Sequence, residues 1–192
     1  GTTPSSEEQL RIIDEAHSTV LFASVSRIYR VTQETRHNHD LKRKGVKALF
    51  VTSEYLSESM RNQLRDAWNC DVHAHYGLTE MGLGVAVECH THNGFHFNEA
   101  DLLLEVINPE TGVVLGNDEE GELVFTTLTR EAMPLIRYRT HDISKLISSP
   151  CECGASTLKK IARVTKRLEA TLKIGKEDEI YPAMFDELIF GI

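Results

Sequence analysis

A strand–helix–strand pattern in the first half of the chain constrains the fold most strongly. Residues 47–51 and 71–75 are short, mostly apolar runs that predict buried strands. Between them, Ser57 is a typical helix N-cap. After it, apolar residues recur at helical spacing and would form one face of a helix, namely Met60, Leu64, Ala67 and Trp68. Strands joined through a helix run parallel, so we predict an α/β fold with a parallel α/β layer.

The residues before this unit predict two further helices. Ser5 followed three residues later by Glu8 is a capping-box pattern, and apolar residues at helical spacing extend it to a helix over 6–17. A short apolar run over 20–23 precedes a second helical pattern that reaches Val31. The polar, basic segment 36–44 predicts a surface loop or a frayed helix end.

Composition excludes several classes of protein. With 192 residues and 41% hydrophobic side chains, the chain can bury a real core. A formal net charge of −8 argues against nucleic acid or an anionic membrane as the main partner. No apolar run is long enough for a membrane span, and residues 1–15 do not resemble a signal peptide. We therefore expect a cytoplasmic protein whose four cysteines stay reduced.

The pattern changes after residue 82. Short β runs over 84–89, 94–97, 102–107 and 122–128 are separated by turn sequences rich in Gly, Pro and Asn. They predict an antiparallel, barrel-like β subdomain. Residues 162–180 are charged and weakly patterned and predict a linker, and Pro182 is suited to open a final helix.

Two motifs identify a family resemblance. Residues 76–80 read Tyr-Gly-Leu-Thr-Glu directly after a predicted strand, and residues 136–142 read Ile-Arg-Tyr-Arg-Thr-His-Asp. Together with the strand over 121–128, they resemble the adenylate-forming acyl–coenzyme A ligase superfamily, in particular its phenylacetate–coenzyme A ligase-like branch. The resemblance extends from about residue 46 to residue 182. It implies that the chain is the second half of the large N-terminal domain of such an enzyme.

The resemblance also implies a reaction. Enzymes of this kind use ATP and Mg²⁺ to convert a carboxylic acid into an acyl-adenylate, and an aryl acid is the candidate here. They then usually transfer the acyl group to coenzyme A. ATP or AMP, Mg²⁺ and coenzyme A are thus the expected cofactors and substrates.

The motif residues take roles from the resemblance and from their chemistry. Tyr76 would stack on adenine, and Gly77 would form the tight turn after the strand. Thr79 would contact a phosphate, and Glu80 would be the Mg²⁺ ligand that a hard cation prefers. Asp142 would accept hydrogen bonds from both ribose hydroxyls.

The predicted hinge is a weaker match. Arg167 corresponds to a nucleotide-contacting arginine of the family, but Lys166 and Ala170 depart from the residues that are usual beside it. Arg137 and Arg139 alternate along a predicted strand and should share a face. Either could position Asp142 or a substrate, or simply form a surface salt bridge.

Cysteine and histidine residues predict a structural zinc site. Cys89 and His96 flank a predicted hairpin, and Cys151 and Cys153 form a Cys-x-Cys-Gly half-site. Three thiolates and one imidazole complete a closed tetrahedral set. His90 should point to the face opposite Cys89, whereas His92 in the turn is an open alternative to His96.

Two alternatives to the zinc site remain at this point. One is a disulfide between Cys151 and Cys153, which the spacing makes sterically poor, and the other is free thiols. Cys70 stands apart from the other three cysteines and should pack in the core.

These features suggest three parts. Residues 1–82 would be an α/β half-subdomain, residues 83–161 a β subdomain with the ribose motif and the zinc site, and residues 162–192 the hinge and the start of a small C-terminal domain. No phosphate-binding loop is recognisable, so we expect a partial chain that is inactive by itself and that can form homo-oligomers. The alternative is a non-catalytic, zinc-stabilised binding domain with a degenerate ligase fold.

Overall fold

The computed structural model describes residues 4–82, 85–155, 157–174 and 178–190. The chain divides into two compact units. Among these residues, one unit contains 4–74 and 186–190, and the other contains those between 75 and 185. The predicted boundaries at residues 82 and 161 stay predictions.

The first unit is a parallel α/β layer. Its elements are α1 (Ser6–Glu15), β1 (Val20–Ser24), α2 (Val25–Thr35), a 3₁₀ helix (Leu41–Lys44), β2 (Ala48–Thr52), α3 (Glu58–Trp68) and the first residues of β3 (Asp71–Tyr76). Strand β2 pairs in parallel with β1 on one side and with β3 on the other. The parallel layer predicted from the strand–helix–strand pattern is confirmed.

Helix caps and one buried indole stabilise this layer. The Ser5 and Ser57 hydroxyls each accept a hydrogen bond from a backbone N–H in the first turn of their helix, as the sequence predicts. Trp68 is fully buried at the end of α3, and its indole N–H donates to the Thr32 hydroxyl of α2 at 2.8 Å. The segment predicted to be a surface loop differs in one respect, because Leu41 is buried and anchors the 3₁₀ helix.

The second unit consists of short antiparallel strands. They are β4 (Ala86–Glu88), β5 (Phe95–Phe97), β6 (Leu102–Ile107), β7 (Gly121–Thr127), β8 (Tyr138–Ser144), β9 (Leu146–Ile147), β10 (Lys160–Ile161) and β11 (Lys166–Arg167). In one sheet, the last two residues of β3 pair with β4, and the order continues β4-β5-β10-β9. A separate sheet has the order β11-β8-β7-β6. The antiparallel β part predicted after residue 82 is confirmed.

Strand alternation gives the first of these sheets two distinct faces. Across the sheet, His75 lies opposite Val87, Val87 opposite His96, and His96 opposite Lys160. Tyr76 follows His75 along β3 and therefore belongs to the next set of opposed residues across the sheet. Because adjacent strand residues point to opposite faces, Tyr76 and His96 belong to different faces of this sheet.

The segment predicted to be a linker is more ordered than its pattern indicates. Strand β11 lies in it, followed by a 3₁₀ turn (Leu168–Ala170) and by the paired strands β12 (Leu172–Ile174) and β13 (Asp178–Ile180). Strands of two or three residues are too short to show a period of two, so the sequence pattern misses them. Helix α4 (Pro182–Phe190) begins at Pro182 as predicted. Within the described ranges, no helix has the length and apolarity needed to cross a membrane.

Candidate functional site

The motif at residues 76–80 forms a compact turn at the end of β3. The carbonyl oxygen of Leu78 accepts hydrogen bonds from the backbone N–H groups of Met81 and Gly82, which closes the turn around Thr79 and Glu80. Gly82 has φ +95°, a conformation that favours glycine. The turn therefore presents Thr79, which is exposed, and Glu80, which is half-buried, beside the end of a strand.

Tyr76 and Asp142 meet although 66 residues separate them in the chain. The Tyr76 hydroxyl donates a hydrogen bond of 2.8 Å to Oδ2 of Asp142, which lies on β8 and is 5% exposed. Burial, followed by the charge of Asp142, raises the pKa of Tyr76, so its hydroxyl stays a donor. Burial also raises the pKa of Asp142, although Tyr76 and Arg167 oppose that shift.

The predicted hinge arginine reaches the same carboxylate. Arg167 on β11 is paired in register with Asp142 on β8, and its Nε lies 3.8 Å from Oδ1 of Asp142. The guanidinium also donates to the carbonyl oxygen of Thr140 at 3.5 Å. A tyrosine hydroxyl and a cation thus approach the two oxygens of one buried carboxylate.

Glu80 has a partner that the sequence did not single out. The Tyr138 hydroxyl donates to Oε1 of Glu80 at 3.2 Å. Burial and the Glu80 charge raise the pKa of Tyr138. Tyr138 lies inside the second motif, and that position was the only signal in the sequence that could have identified it. Thr79 makes no hydrogen bond with the described residues, so its predicted phosphate role stays a prediction.

The two arginines of the second motif form ion pairs with glutamates. Arg137 Nε lies 3.2 Å from Glu105, and Arg139 binds the buried Glu122. Arg137 precedes β8 and has φ +50°, so it does not lie in the strand that was predicted to carry both arginines. Neither arginine contacts Asp142 in the described part of the chain. The salt-bridge alternative is the one observed.

The predicted zinc ligands converge. Cys89, His96, Cys151 and Cys153, called the metal-ligand cluster below, have ligand atoms that all lie within 4.8 Å of one another. The Sγ atoms of Cys89 and Cys151 are 3.6 Å apart, and Cys153 Sγ lies 3.4 Å from His96 Nε2.

The alternatives to this ligand set lie elsewhere. None of the four cysteines forms a disulfide, so the disulfide alternative is not observed. His90 is exposed, and the His92 ring lies 3.4 Å from the carboxylate of Glu88. Cys70 is buried in the first unit, as predicted, where burial raises its pKa to about 11.

Thr91 is a polar neighbour of the metal-ligand cluster that the sequence did not indicate. Its hydroxyl lies 3.1 Å from the Cys89 sulfur and 3.4 Å from the Cys151 sulfur. Its hydrogen bond, followed by one from the Cys153 backbone, lowers the pKa of Cys151 to about 5. The thiolate form that metals bind is therefore favoured at this position.

Comparison with known proteins agrees with these motifs. Residues 1–129 match the family model described as AMP-binding enzyme. The chain is 34% identical over 186 residues to a phenylacetate–coenzyme A ligase of Aromatoleum evansii, and 31% identical over 193 residues to one of Pseudomonas putida. These alignments cover 95% and 97% of this chain but 41% and 42% of the relatives. The chain thus spans about two fifths of their length.

Solved structures show the same fold. A crystal structure of 2-hydroxyisobutyryl-CoA ligase in the postadenylation state, in complex with 2-HIB-AMP, aligns with all of this chain and 41% of its own, with a TM-score of 0.88 and 18% identity. The same ligase with 2-HIB-AMP and CoA, in the thioesterification state, gives a TM-score of 0.77 and 19% identity.

Proposed function

Because the chain belongs to the AMP-binding enzyme family, we propose that its full-length protein is an AMP-forming acyl–coenzyme A ligase. In this reaction a carboxylate attacks the α-phosphate of ATP and pyrophosphate leaves. The thiol of coenzyme A then attacks the acyl-adenylate, the bond between the acyl group and the phosphate breaks, and AMP leaves. The sequence relatives named above are phenylacetate–coenzyme A ligases, which favours an aryl acid as the substrate.

One observation carries the proposal. The carboxylate of Asp142 is buried. Tyr76 and Arg167 come from two other segments of the chain, and both approach this carboxylate. An ionised carboxylate has two oxygens and can accept from both hydroxyls of a ribose. The half-buried Tyr76 ring lies beside it and is suited to stack on the attached base, because aromatic faces bind flat rings with little entropy loss.

The turn after β3 supplies the polar groups for the phosphates. Glu80 is suited to hold Mg²⁺, because a hard cation prefers a carboxylate that it can share with phosphate oxygens. Tyr138 would orient that carboxylate through the hydrogen bond described above. Mg²⁺ when bound would neutralise developing phosphate charge, and the exposed Thr79 hydroxyl would contact a phosphate oxygen.

The metal-ligand cluster takes no part in this proposed reaction, and we propose a structural Zn²⁺ ion for it instead. A closed set of four protein ligands leaves no position at which a substrate or water could be activated. We also propose the cytoplasm as the compartment, since both the free cysteines and the thiol of coenzyme A require a reducing environment.

Exchange of labelled pyrophosphate into ATP tests the proposal on the full-length protein. A panel of aryl and short-chain acids should reveal acid-dependent exchange, with aryl acids the best substrates. Glu80→Gln should lower the exchange rate at limiting Mg²⁺ by at least about 10-fold, the lower end of what loss of a metal-supporting group costs.

Glu110→Gln is the matched control, because Glu110 is exposed in a turn of the same unit. It should exchange at the unmodified rate. Exchange that needs no acid, or an equal effect of the two variants, would contradict the proposal.

A further inference from the structure

The metal-ligand cluster joins two neighbouring hairpins of one sheet. Cys89 directly follows β4 and His96 lies on β5, whereas Cys151 and Cys153 lie in the connection from β9 to β10. Strand β10 pairs with β5, so the two hairpins are adjacent, and together they bring the four ligand atoms close to one another. An ion bound there would cross-link parts of the chain that are about 60 residues apart, which restricts the unfolded chain more than the folded one.

The position of His96 separates this cluster from the nucleotide motif. His96 and Tyr76 lie on opposite faces of the sheet formed by the end of β3 and by β4 and β5. An ion held by His96 is therefore on the other side of the sheet from the ring that would stack on adenine. This placement favours a structural role over a catalytic one.

Lys160 is unusual in this neighbourhood. It lies on β10, directly opposite His96 of β5, and is only 3% exposed. We find no hydrogen bond or ion pair for its side chain within the ranges that the structure describes. Lysine is almost never this deeply buried unless its charge is compensated, so a negative charge close to this side chain would be favourable.

We infer that the metal-ligand cluster is a closed Zn²⁺ site and that Lys160 is its counter-ion. Three thiolates and a neutral imidazole around Zn²⁺ leave one negative charge in excess, because each thiolate contributes one and the ion supplies two positive charges. Directly opposed residues have Cβ atoms about 4.5–5.5 Å apart, which places the flexible Lys160 side chain within reach of the site. The excess negative charge of the zinc–thiolate set would therefore compensate the buried lysine, and the lysine would compensate that excess charge.

Elemental analysis of the purified protein tests the metal. We expect about one equivalent of zinc, as for a single tetrahedral site. The double variant Cys151→Ser with Cys153→Ser should lose the zinc, whereas the control Cys70→Ser should keep it. The inference would be overturned if the unmodified protein, produced in cells supplied with zinc, contained none. It would also be overturned if the double variant retained zinc.

A second set of variants keeps the test informative if the double variant does not fold. His96→Ala should lose zinc affinity, His96→Cys should restore it by completing a four-cysteine site, and His92→Ala should leave it unchanged. Loss of zinc from His92→Ala but not from His96→Ala would overturn the ligand set.

Competition with a coloured zinc chelator tests Lys160. Lys160→Met should weaken zinc binding by about 10–100-fold, the range typical of lost outer-shell partners. Lys159→Met is the matched control, since Lys159 is the neighbouring residue and forms an exposed ion pair with Glu99. Equal zinc affinities of the two variants would overturn the counter-ion role. Neither readout requires ligase activity, so failure here is distinguishable from failure of the proposed function.

Discussion

Asp142 shows how a proposed binding role can oppose stability at a single residue. Its carboxylate is buried, and burial raises its pKa although Tyr76 and Arg167 both favour the ionised form. A raised pKa in the folded state means that the protonated form is the more stable one there. Ionised Asp142 therefore lowers the free energy of unfolding as the pH rises through this raised pKa. The same ionised form is the one that can accept two ribose hydroxyls.

We therefore predict opposite effects of Asp142→Asn on binding and on stability. Loss of the charged acceptor removes hydrogen bonds worth about 1.5–3 kcal/mol, so the ATP concentration for half-maximal exchange should rise about 10–100-fold in the full-length protein. The free energy of unfolding should increase at neutral pH. The increase should shrink as the pH falls through the raised pKa and vanish below the ordinary aspartate pKa of the unfolded chain. Denaturant titrations across pH measure this.

The matched control is Asp66→Asn, because Asp66 is exposed on α3. It should change neither quantity. If Asp142→Asn instead destabilises the protein equally at every pH, the pKa argument is wrong.

At the scale of elements, the sheet formed by β6, β7 and β8 depends on a buried carboxylate. Glu122 on β7 is fully buried and accepts from the Arg139 guanidinium and from the backbone N–H of His141 at 3.1 Å. Arg139 also donates to the carbonyl oxygen of Pro109 at 2.8 Å, which ties the β6–β7 connection to β8. Asp142 lies on β8 as well, so these contacts hold the strand that presents the proposed ribose acceptor.

Replacing Arg139 should show how much the buried charge of Glu122 destabilises the fold. Arg139→Met leaves Glu122 buried without its cation, and we expect a loss of about 1–3 kcal/mol in the free energy of unfolding by urea titration. Arg137→Met, which breaks the more exposed pair with Glu105, should cost at most about 1 kcal/mol. The double variant Arg139→Met with Glu122→Gln should recover much of the lost stability, because the unpaired charge is gone. A double variant as unstable as the sum of its single changes would refute this account.

At the scale of the whole molecule, the chain spans about two fifths of the relatives that it matches. Adenylation depends on several preorganised groups around the phosphates, and loss of one such donor typically costs about 10²–10³ in rate. Strand β1 has an exposed apolar face with Val20 and Phe22, each 52% exposed, and pairs only with β2 among the described strands. Such an edge favours association with another chain.

We therefore predict that the 192-residue chain alone shows no measurable pyrophosphate exchange and self-associates in solution. Exchange assays and light scattering on the isolated chain measure the two properties, with the full-length protein as the control. Exchange by a monomeric 192-residue chain at the rate of the full-length protein would contradict the prediction.

The sequence alone was sufficient for the features that depend on near neighbours. Ser5 and Ser57 cap their helices because the bonded N–H lies three residues away. The parallel layer followed from a helix between two apolar runs, and the motif at residues 76–80 located the turn after β3.

Tertiary structure alone decided the features that depend on distant partners. The side chain that meets Tyr76 is 66 residues away, and only the pairing of β11 with β8 brings Arg167 to the same carboxylate. The two-residue strands β9, β10 and β11 leave no periodic pattern to find. Strand alternation and turn geometry also determine that His96, and not His92, faces the three cysteines. Long-range packing determines these contacts, so they cannot be predicted from the local spacing of residues.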